Sequence, residues 1–362
     1  MYFQVSILQC QETTIGGIHM IDLRSDTVTK PTETMRRAMY EAKVGDDVYQ
    51  EDPTILELEE LAASIVGKED ALFVPSGTQG NQIAVLTHCR QGEEIILEAE
   101  SHIFYYEGAA ISAFAGVQPR TIAGDRGAMD PKDVQAAIRD EDVHFPETGL
   151  ICIENTHNRA GGAVIPLNNM QDIYHIAQKN DVPVHLDGAR LFNASIASGT
   201  DVKDFANQTD SIQFCLSKGL GAPIGSMIAG TSNFINQARK WRKRLGGGMR
   251  QVGMIAAPGL VALQTMIERL EEDHENAKVL ANGLAQINGL SIENIVETNI
   301  VIVNTKAARL TAEEFLQLLK EYGILAVSFG PFSVRFTTHY NVDLNDINTV
   351  TEKIHNILKN FV

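Results

Sequence analysis

A chain of 362 residues, 44% apolar and 21% charged, can bury a substantial core, and its length suits one large α/β domain with a smaller satellite. A formal charge of −16 and a pI near 5.1 give a negative surface field, which excludes nucleic acid and anionic membrane as partners and favours a small-molecule substrate.

Residues 1–19 have no basic n-region, continuous apolar h-region or small-residue cleavage site, so they do not read as a secretion signal. They read as an N-terminal extension, either an expression remnant or a mis-assigned start before Met20. Residues 20–53 form an arm. Thr54 to Val66 is then a helix, with Ile55, Leu58, Leu61, Ala62 and Ile65 on one side. Strand-like runs follow at Ala71–Val74, Glu94–Leu97, Leu150–Glu154, Val182–Leu186, Ser211–Leu216 and Ser226–Ala229, with helical patterns between most of them. That alternation predicts a largely parallel sheet covered by helices, a large domain over residues 54–263. Its last apolar stretch, Met254 to Ile267, is broken by Pro258 and Gln264 and is too short for a membrane span. Residues 264–362 read as a connecting helix, Gln264 to Ile287, and a small α+β domain. There Asn299–Asn304 is a strand, and Thr311 with Glu314 makes a capping box for a helix that runs to Tyr322 and stops at Gly323. Two further strand-like runs and a helix near Asn345–Asn360 complete it. No internal repeat or low-complexity tract interrupts this order.

Three segments carry chemistry. In DSIQFCLSKGLGAPIG, Asp210 to Gly225, an apolar run leads into Ser-Lys-Gly and a glycine loop, which puts Lys218 at a strand end facing a cleft. Partial burial beside positive neighbours gives a lysine the neutral amine that attack on a carbonyl needs; alone, such a segment more often carries a surface lysine in a turn. In VPVHLDGAR, Asp187 stands near the end of a neighbouring strand, where carboxylates face a ligand crevice, although a helix cap is the equal alternative. Pro75-Ser-Gly-Thr-Gln-Gly-Asn81 lies between a strand-like run and an apolar helix pattern that reaches His88. Helix N-terminal amides with the Ser76 and Thr78 hydroxyls form a phosphate cradle, but a plain βα turn uses the same residues.

Adding Asp22-Leu-Arg-Ser-Asp-Thr-Val-Thr29, Gly45-Asp-Asp-Val-Tyr49, Glu154-Asn-Thr-His-Asn158 and Gly246-Gly-Gly-Met-Arg-Gln251 makes the pattern specific. From about Met20 to the C-terminus the chain resembles the fold-type-I pyridoxal-5′-phosphate (PLP) enzymes, and among them the L-threonine aldolase family. The resemblance implies an α/β fold with a mostly parallel central sheet and a smaller C-terminal α+β domain. It also implies PLP as cofactor and retro-aldol cleavage of L-threonine, L-allo-threonine and related β-hydroxy-α-amino acids to glycine and an aldehyde. Lys218 matches the lysine that carries the cofactor and Asp187 the partner of its pyridine nitrogen. Gly77 and Thr78, with Ser76 beside them, match the phosphate ligands, and His102 matches the histidine stacked on the ring. Ser25, Arg190 and Arg335 match the groups that hold the substrate carboxylate, a task suited to bidentate guanidiniums; any single arginine is otherwise more often in a surface salt bridge.

The segment RKWRKRLGGGMR, Arg239 to Arg250, puts six cations in twelve residues. By itself it suggests a solvated helix end or a nucleic-acid patch. The resemblance implies that Lys243 and Arg250 reach the phosphate from an adjacent subunit and that Tyr49 is likewise contributed by a neighbour, so the site would be shared in a homo-oligomer, a dimer of dimers. His157 follows a strand-like run and could line the cleft, or sit in a turn on backbone; with the resemblance it joins His102 as a candidate for the substrate hydroxyl.

Other readings fail on spacing. Gly219, Gly221 and Gly225 are one residue too widely spaced for a dinucleotide fingerprint, with Pro223 between them. Gly67-Lys68 is followed by Glu69 rather than a hydroxyl residue, and no H-E-x-x-H or G-x-S-x-G occurs. Cys10, Cys89, Cys152 and Cys215 show no C-x-x-C spacing, which points to a reducing cytoplasm and away from a disulfide framework or a metal knuckle. The histidines form no metal-ligand constellation. The rivals are another PLP lyase, either a β-eliminating lyase or a glycine hydroxymethyltransferase, and a PLP-binding protein without turnover.

Overall fold

Short apolar runs, too short for helices and buried along almost their whole length, build the central sheet: β1 (Asp70–Val74), β2 (Glu94–Glu98), β4 (Thr148–Glu154), β5 (Val184–Asp187), β6 (Ser211–Cys215) and β7 (Ser226–Gly230). Burial on both faces is what helices packed on each side of a sheet require. A seventh strand, β3 (Gln118–Ile122), was not expected from the sequence: it is half exposed and polar, and it forms the sheet edge. The order is β1-β7-β6-β5-β4-β2-β3. All neighbours are parallel except β7, which runs antiparallel to both β6 and β1. The loop that carries Lys218 is therefore a hairpin connection between β6 and β7. The structure, a computed structural model, describes residues 14–15 and 18–359. Most of the expected extension over residues 1–19 lies outside the described residues.

Because β7 reverses twice, β1 regains the direction of β6, and the carboxyl ends of β1, β2, β4, β5 and β6 share one edge. The register sets Asp187 beside both Glu154 and Gln213, and Cys215 and Val74 on either side of Ser226. Ligands bind outside such strand ends in open α/β sheets.

The helices obey local signals. Asp52 caps the Pro53–Val66 helix by accepting from the Thr54 and Ile55 amides, and Gly67 closes it in the left-handed region. Thr311 and Glu314 make the capping box of the Ala312–Glu321 helix. The expected continuous helix from Gln264 to Ile287 is instead split between Gly253–Thr265 and Leu270–Ala285. Met266 and Leu270, on either side of the break, are both buried in the large core, and Arg269 pairs with Asp273 one turn further on at 2.8 Å. No helix among the described residues is long and apolar enough to cross a membrane.

A second core lies between a four-stranded sheet, which includes Ile300–Asn304 and Ser333–Thr337, and the helices Leu270–Ala285 and Leu344–Leu358. The arm is stitched into it. Ile21–Asp22 pairs in parallel with Ile324–Leu325, and Ile21 and Leu23 are buried there. The next residues, Arg24 to Thr29, are thereby held at the junction of the two cores.

Gly225, with φ of +102°, has no space for a Cβ because the Phe73 ring fills it. Gly225→Ala is expected to lose about 3 kcal/mol or more. Gly108→Ala, at φ of +61° with open space around it, should lose about 1–2 kcal/mol, and urea denaturation of the two variants compares them directly.

Candidate active site

Five strand ends deliver the polar groups. Lys218 follows β6, and its carbonyl accepts from the Thr29 hydroxyl at 3.0 Å, which ties the lysine loop to the arm. Asp187 ends β5 and is buried; it accepts from Asn81 Nδ2 at 2.8 Å, Gln213 Nε2 at 2.8 Å and the Ala189 amide at 3.1 Å. Burial pushes its carboxyl up, but the charges of His102 and Lys218 and the donated hydrogen bonds outweigh this and hold it below the usual carboxylate range.

His102 opens a short helix after β2. Its amide donates to Glu154, and its Nδ1 lies 2.9 Å from the buried Glu107. Burial lowers the ring's pKa, yet the bond to Glu107 and the charges of Asp187 and Glu107 raise it above the ordinary histidine value. His102, Glu107 and Asp187 bring their donor atoms within 4.8 Å of one another. Asn81 Nδ2 donates to both carboxylates, at 2.9 and 2.8 Å, so an amide bridges them.

Ser76 caps the Gly77–His88 helix after β1 by accepting from the Gln79 amide. The amides of Gly77 and Thr78 open this helix, where no preceding turn can satisfy them. A Cβ on Gly77 would stand 2.9 Å from Cys215 Sγ, so the helix start sits directly against β6. The turn after the Ser232–Arg244 helix meets the same helix, because Gln79 Nε2 donates to the Leu245 carbonyl at 3.4 Å. Lys243 and Arg250 are exposed nearby in the chain, and Arg250 pairs with Asp46 at 3.0 Å. Tyr49 is 71% exposed.

Arg190 and Arg335 are unequal. Arg190 is buried and makes a two-pronged pair with Asp26, Nε to Oδ2 and Nη2 to Oδ1, each 2.7 Å. Burial pushes the Asp26 carboxyl up, but Arg190 overrides it and holds it well below the usual range. Arg335 reaches only neutral acceptors, Asn158 Oδ1 at 3.0 Å and the Arg24 carbonyl at 3.2 Å, and its Nε is buried without a partner. Burial and the neighbouring Arg190 charge push its pKa down to about 10. Among the described residues no carboxylate lies within ion-pair distance of it.

Ser25, His102, Asn158, Arg190, Lys218 and Arg335 line one cavity of about 340 Å³. His157 does not join them. It is buried, with Nε2 2.9 Å from Glu98, and borders an adjoining cavity; burial lowers its pKa, but Glu154 and Glu98 raise it. Asp26 and Asn158 were not singled out from the sequence although both lie inside quoted motifs. Glu107 and Phe329 carried no sequence signal; Phe329 sits between Arg159 and Arg335, whose guanidinium carbons lie 4.8 and 5.3 Å from its ring centre.

A mixed, mostly parallel sheet with helices on it, and an amine, a carboxylate and two guanidiniums gathered at its strand ends, is the architecture of the fold-type-I PLP enzymes. The model of the beta-eliminating lyase family matches residues 22–308. The chain is 46% identical over 339 residues to the "Probable low-specificity L-threonine aldolase 2" of Arabidopsis thaliana, covering 92% of this chain and 96% of that one. It is 40% identical over 324 residues to the "Low specificity L-threonine aldolase" of Escherichia coli O157:H7, covering 89% and 95%. The solved threonine aldolase of Leishmania major superposes with a TM-score of 0.80 at 20% identity, covering 93% and 99%, which shows the shared fold. The chain belongs to the beta-eliminating lyase family, among its L-threonine aldolases.

Asp26→Ala strands a buried guanidinium and is expected to lose about 3–5 kcal/mol of stability. Since the Asp26 pKa is depressed in the folded state, its contribution is complete above the unfolded value of about 3.9. It declines only as the pH falls from there towards the folded pKa. An acid titration of the urea midpoint should therefore show this component in the wild type and lack it in Asp26→Asn.

Proposed function

We propose that the chain is a PLP-dependent aldehyde-lyase that cleaves L-threonine and L-allo-threonine to glycine and acetaldehyde, and other β-hydroxy-α-amino acids correspondingly. One observation carries this reading: Arg335 is a half-buried cation with no carboxylate among the described residues within ion-pair distance, and with Arg190 it lines the cavity that also holds Lys218. An α-amino acid supplies the missing carboxylate and places its amine towards the lysine.

The donor set fits PLP group by group. Lys218 offers the amine for its aldehyde, Asp187 an ionised carboxylate for its ring nitrogen, and Ser76, Gly77 and Thr78 the start of a helix for its phosphate. When bound, the cofactor supplies an electrophilic carbon for the substrate amine and a cationic ring that takes up an electron pair.

The chain's own residues do the rest. Arg335 and Arg190 grip the substrate carboxylate, Ser25 adds a hydroxyl, and Asn158 keeps the two guanidiniums in place through one oxygen, at 3.0 and 3.5 Å. A carboxylate fixed this way leaves the rest of the substrate one orientation, and orientation decides which bond at Cα breaks. Cleavage requires the β-hydroxyl to give up its proton as the Cα–Cβ bond breaks, and Cα to gain a proton afterwards. His102 is the histidine on this cavity, anchored through Nδ1 on Glu107, so its other ring nitrogen or a water on it accepts the hydroxyl proton. Methyl-sized differences at Cβ are worth only ~1–3 kcal/mol, in keeping with broad specificity.

The working unit in this reading is a homotetramer in the cytoplasm, a dimer of dimers in which Lys243, Arg250 and Tyr49 complete the site of a second copy. The exposed Tyr40, Val48, Tyr49 and Met254 support a face that another subunit covers. The division of labour follows an arm over residues 20–53, a cofactor domain over 54–263 and a small domain over 264–362.

Purified protein with PLP should release acetaldehyde and glycine from L-threonine, and Lys218→Ala should lose both the turnover and the cofactor's visible absorbance; release of pyruvate or ammonia instead would mark an eliminating lyase. Arg335→Ala should lower kcat/KM roughly 10- to 150-fold, the ~1.5–3 kcal/mol of a hydrogen bond to a charged group. Because the His102 pKa is raised and a base must be unprotonated, kcat should climb with pH through a limb above about 6.5. In His102→Asn that limb should vanish with a loss of roughly 10²- to 10⁴-fold.

A further inference from the structure

Asp187 is also reached from within the sheet by hydrogen bonds that this chemistry does not use. His88 Nε2 lies 2.8 Å from Ser211 Oγ, Ser211 Oγ lies 2.9 Å from His185 Nδ1, and His185 Nε2 lies 3.2 Å from Asn81 Oδ1. Asn81 Nδ2 then donates to Asp187 and Glu107. Two elements build the chain. Asn81 and His88, two turns apart, share a face of the Gly77–His88 helix, while His185 and Asp187, two residues apart, share a face of β5, where His185 stands beside Ser211 of β6. Asn81, His185 and Ser211 are all buried.

With both carboxylates ionised and both rings neutral, the side-chain hydrogen bonds of this chain admit one arrangement. Ionised carboxylates only accept, so the Asn81 nitrogen must face Asp187 and Glu107, and its oxygen must face His185. His185 Nε2 must then carry a hydrogen. If the ring is neutral its Nδ1 is an acceptor, so the Ser211 hydroxyl donates to it, and His88 Nε2–H must donate to Ser211.

Burial supplies the neutrality. It lowers the His185 pKa to about 4 despite the Asp187 charge and a backbone hydrogen bond at Ser211, and it lowers His88 to about 3. The Phe234 ring stacks on His88 at 4.8 Å.

We propose that His88, Ser211, His185 and Asn81 form a hydrogen-bond relay of fixed polarity, every hydrogen directed towards Asp187, and that they are positioning residues which hold this carboxylate ionised and in one rotamer. Its use, to receive a cationic ring nitrogen, rests on the cofactor reading above. Moving the His185 hydrogen to Nδ1 would set two lone pairs against each other at Asn81, and turning Asn81 over would set its oxygen against two carboxylates. A single tautomer thus fixes the orientation of every member.

Long-range proton–nitrogen NMR of ¹⁵N-histidine-labelled full-length protein, without and with PLP, tests this near neutral pH, with His185→Gln and His88→Gln assigning the signals. The expected result is that both rings are neutral with hydrogen on Nε2. A cationic His185, or hydrogen on its Nδ1, overturns the relay. Ser211→Ala, which removes the donor to Nδ1, should weaken PLP binding roughly 3- to 10-fold and shift the pH dependence of the bound cofactor's absorbance, with Ser211→Thr restoring both. An unchanged PLP dissociation constant and pH profile in Ser211→Ala refutes the positioning role. Failure of wild-type protein to take up PLP while the Nε2–H tautomers are seen removes the cofactor reading and leaves the relay's polarity standing.

Discussion

The site depends on the buried pair between Asp26 and Arg190. Asp26 belongs to the arm, Arg190 to the turn after β5, and Asn299 of the small domain reaches Asp26 Oδ2 at 3.3 Å. Three regions distant in sequence thus meet on one carboxylate. A buried ion pair contributes little net stability when complete, but leaving either member alone is costly, so the pair enforces the meeting of those regions. It also divides the labour between two arginines. Asp26 neutralises Arg190, while among the described residues no carboxylate lies within ion-pair distance of Arg335 beside it.

This local arrangement runs against the charge of the whole molecule. At −16 the surface field repels anions at long range, yet screening confines that field to roughly 8 Å at physiological salt. Inside the cavity Lys218 and Arg335 dominate for a group in contact with them. The carboxylates nearest the site are already spoken for: Asp187 by Asn81, Gln213 and a backbone amide, and Glu107 by Asn81, Gln82 and His102. Buried carboxylates that each accept several hydrogen bonds are held rigidly, and rigidity here means that charge is presented in a fixed direction.

Much of the fold was legible because its signals are local. Six of the central strands announce themselves as short apolar runs, and their observed ends differ from the expected ones by a residue or two. β3 escaped because an edge strand covered on fewer sides keeps Gln118, Arg120 and Thr121, and no apolar run marks it. The division of the Gln264–Ile287 helix was also hidden. Helical periodicity continues across the break, so no local pattern marks it.

By itself the sequence determined which groups were available for chemistry and, through strand and helix patterns, that Lys218, Asp187 and the Ser76–Thr78 turn would stand at element ends. Only the tertiary structure decided which side chains share a cavity. His157 and Asn158 are adjacent in one motif, yet one turns into the protein against Glu98 and the other faces the cavity between two arginines. Neighbouring side chains leave the backbone in different directions, and which direction meets the cavity depends on elements more than 150 residues away, such as Arg335. Whether a cation is neutralised or left waiting depends in the same way on a partner, Asp26, that no local pattern can place.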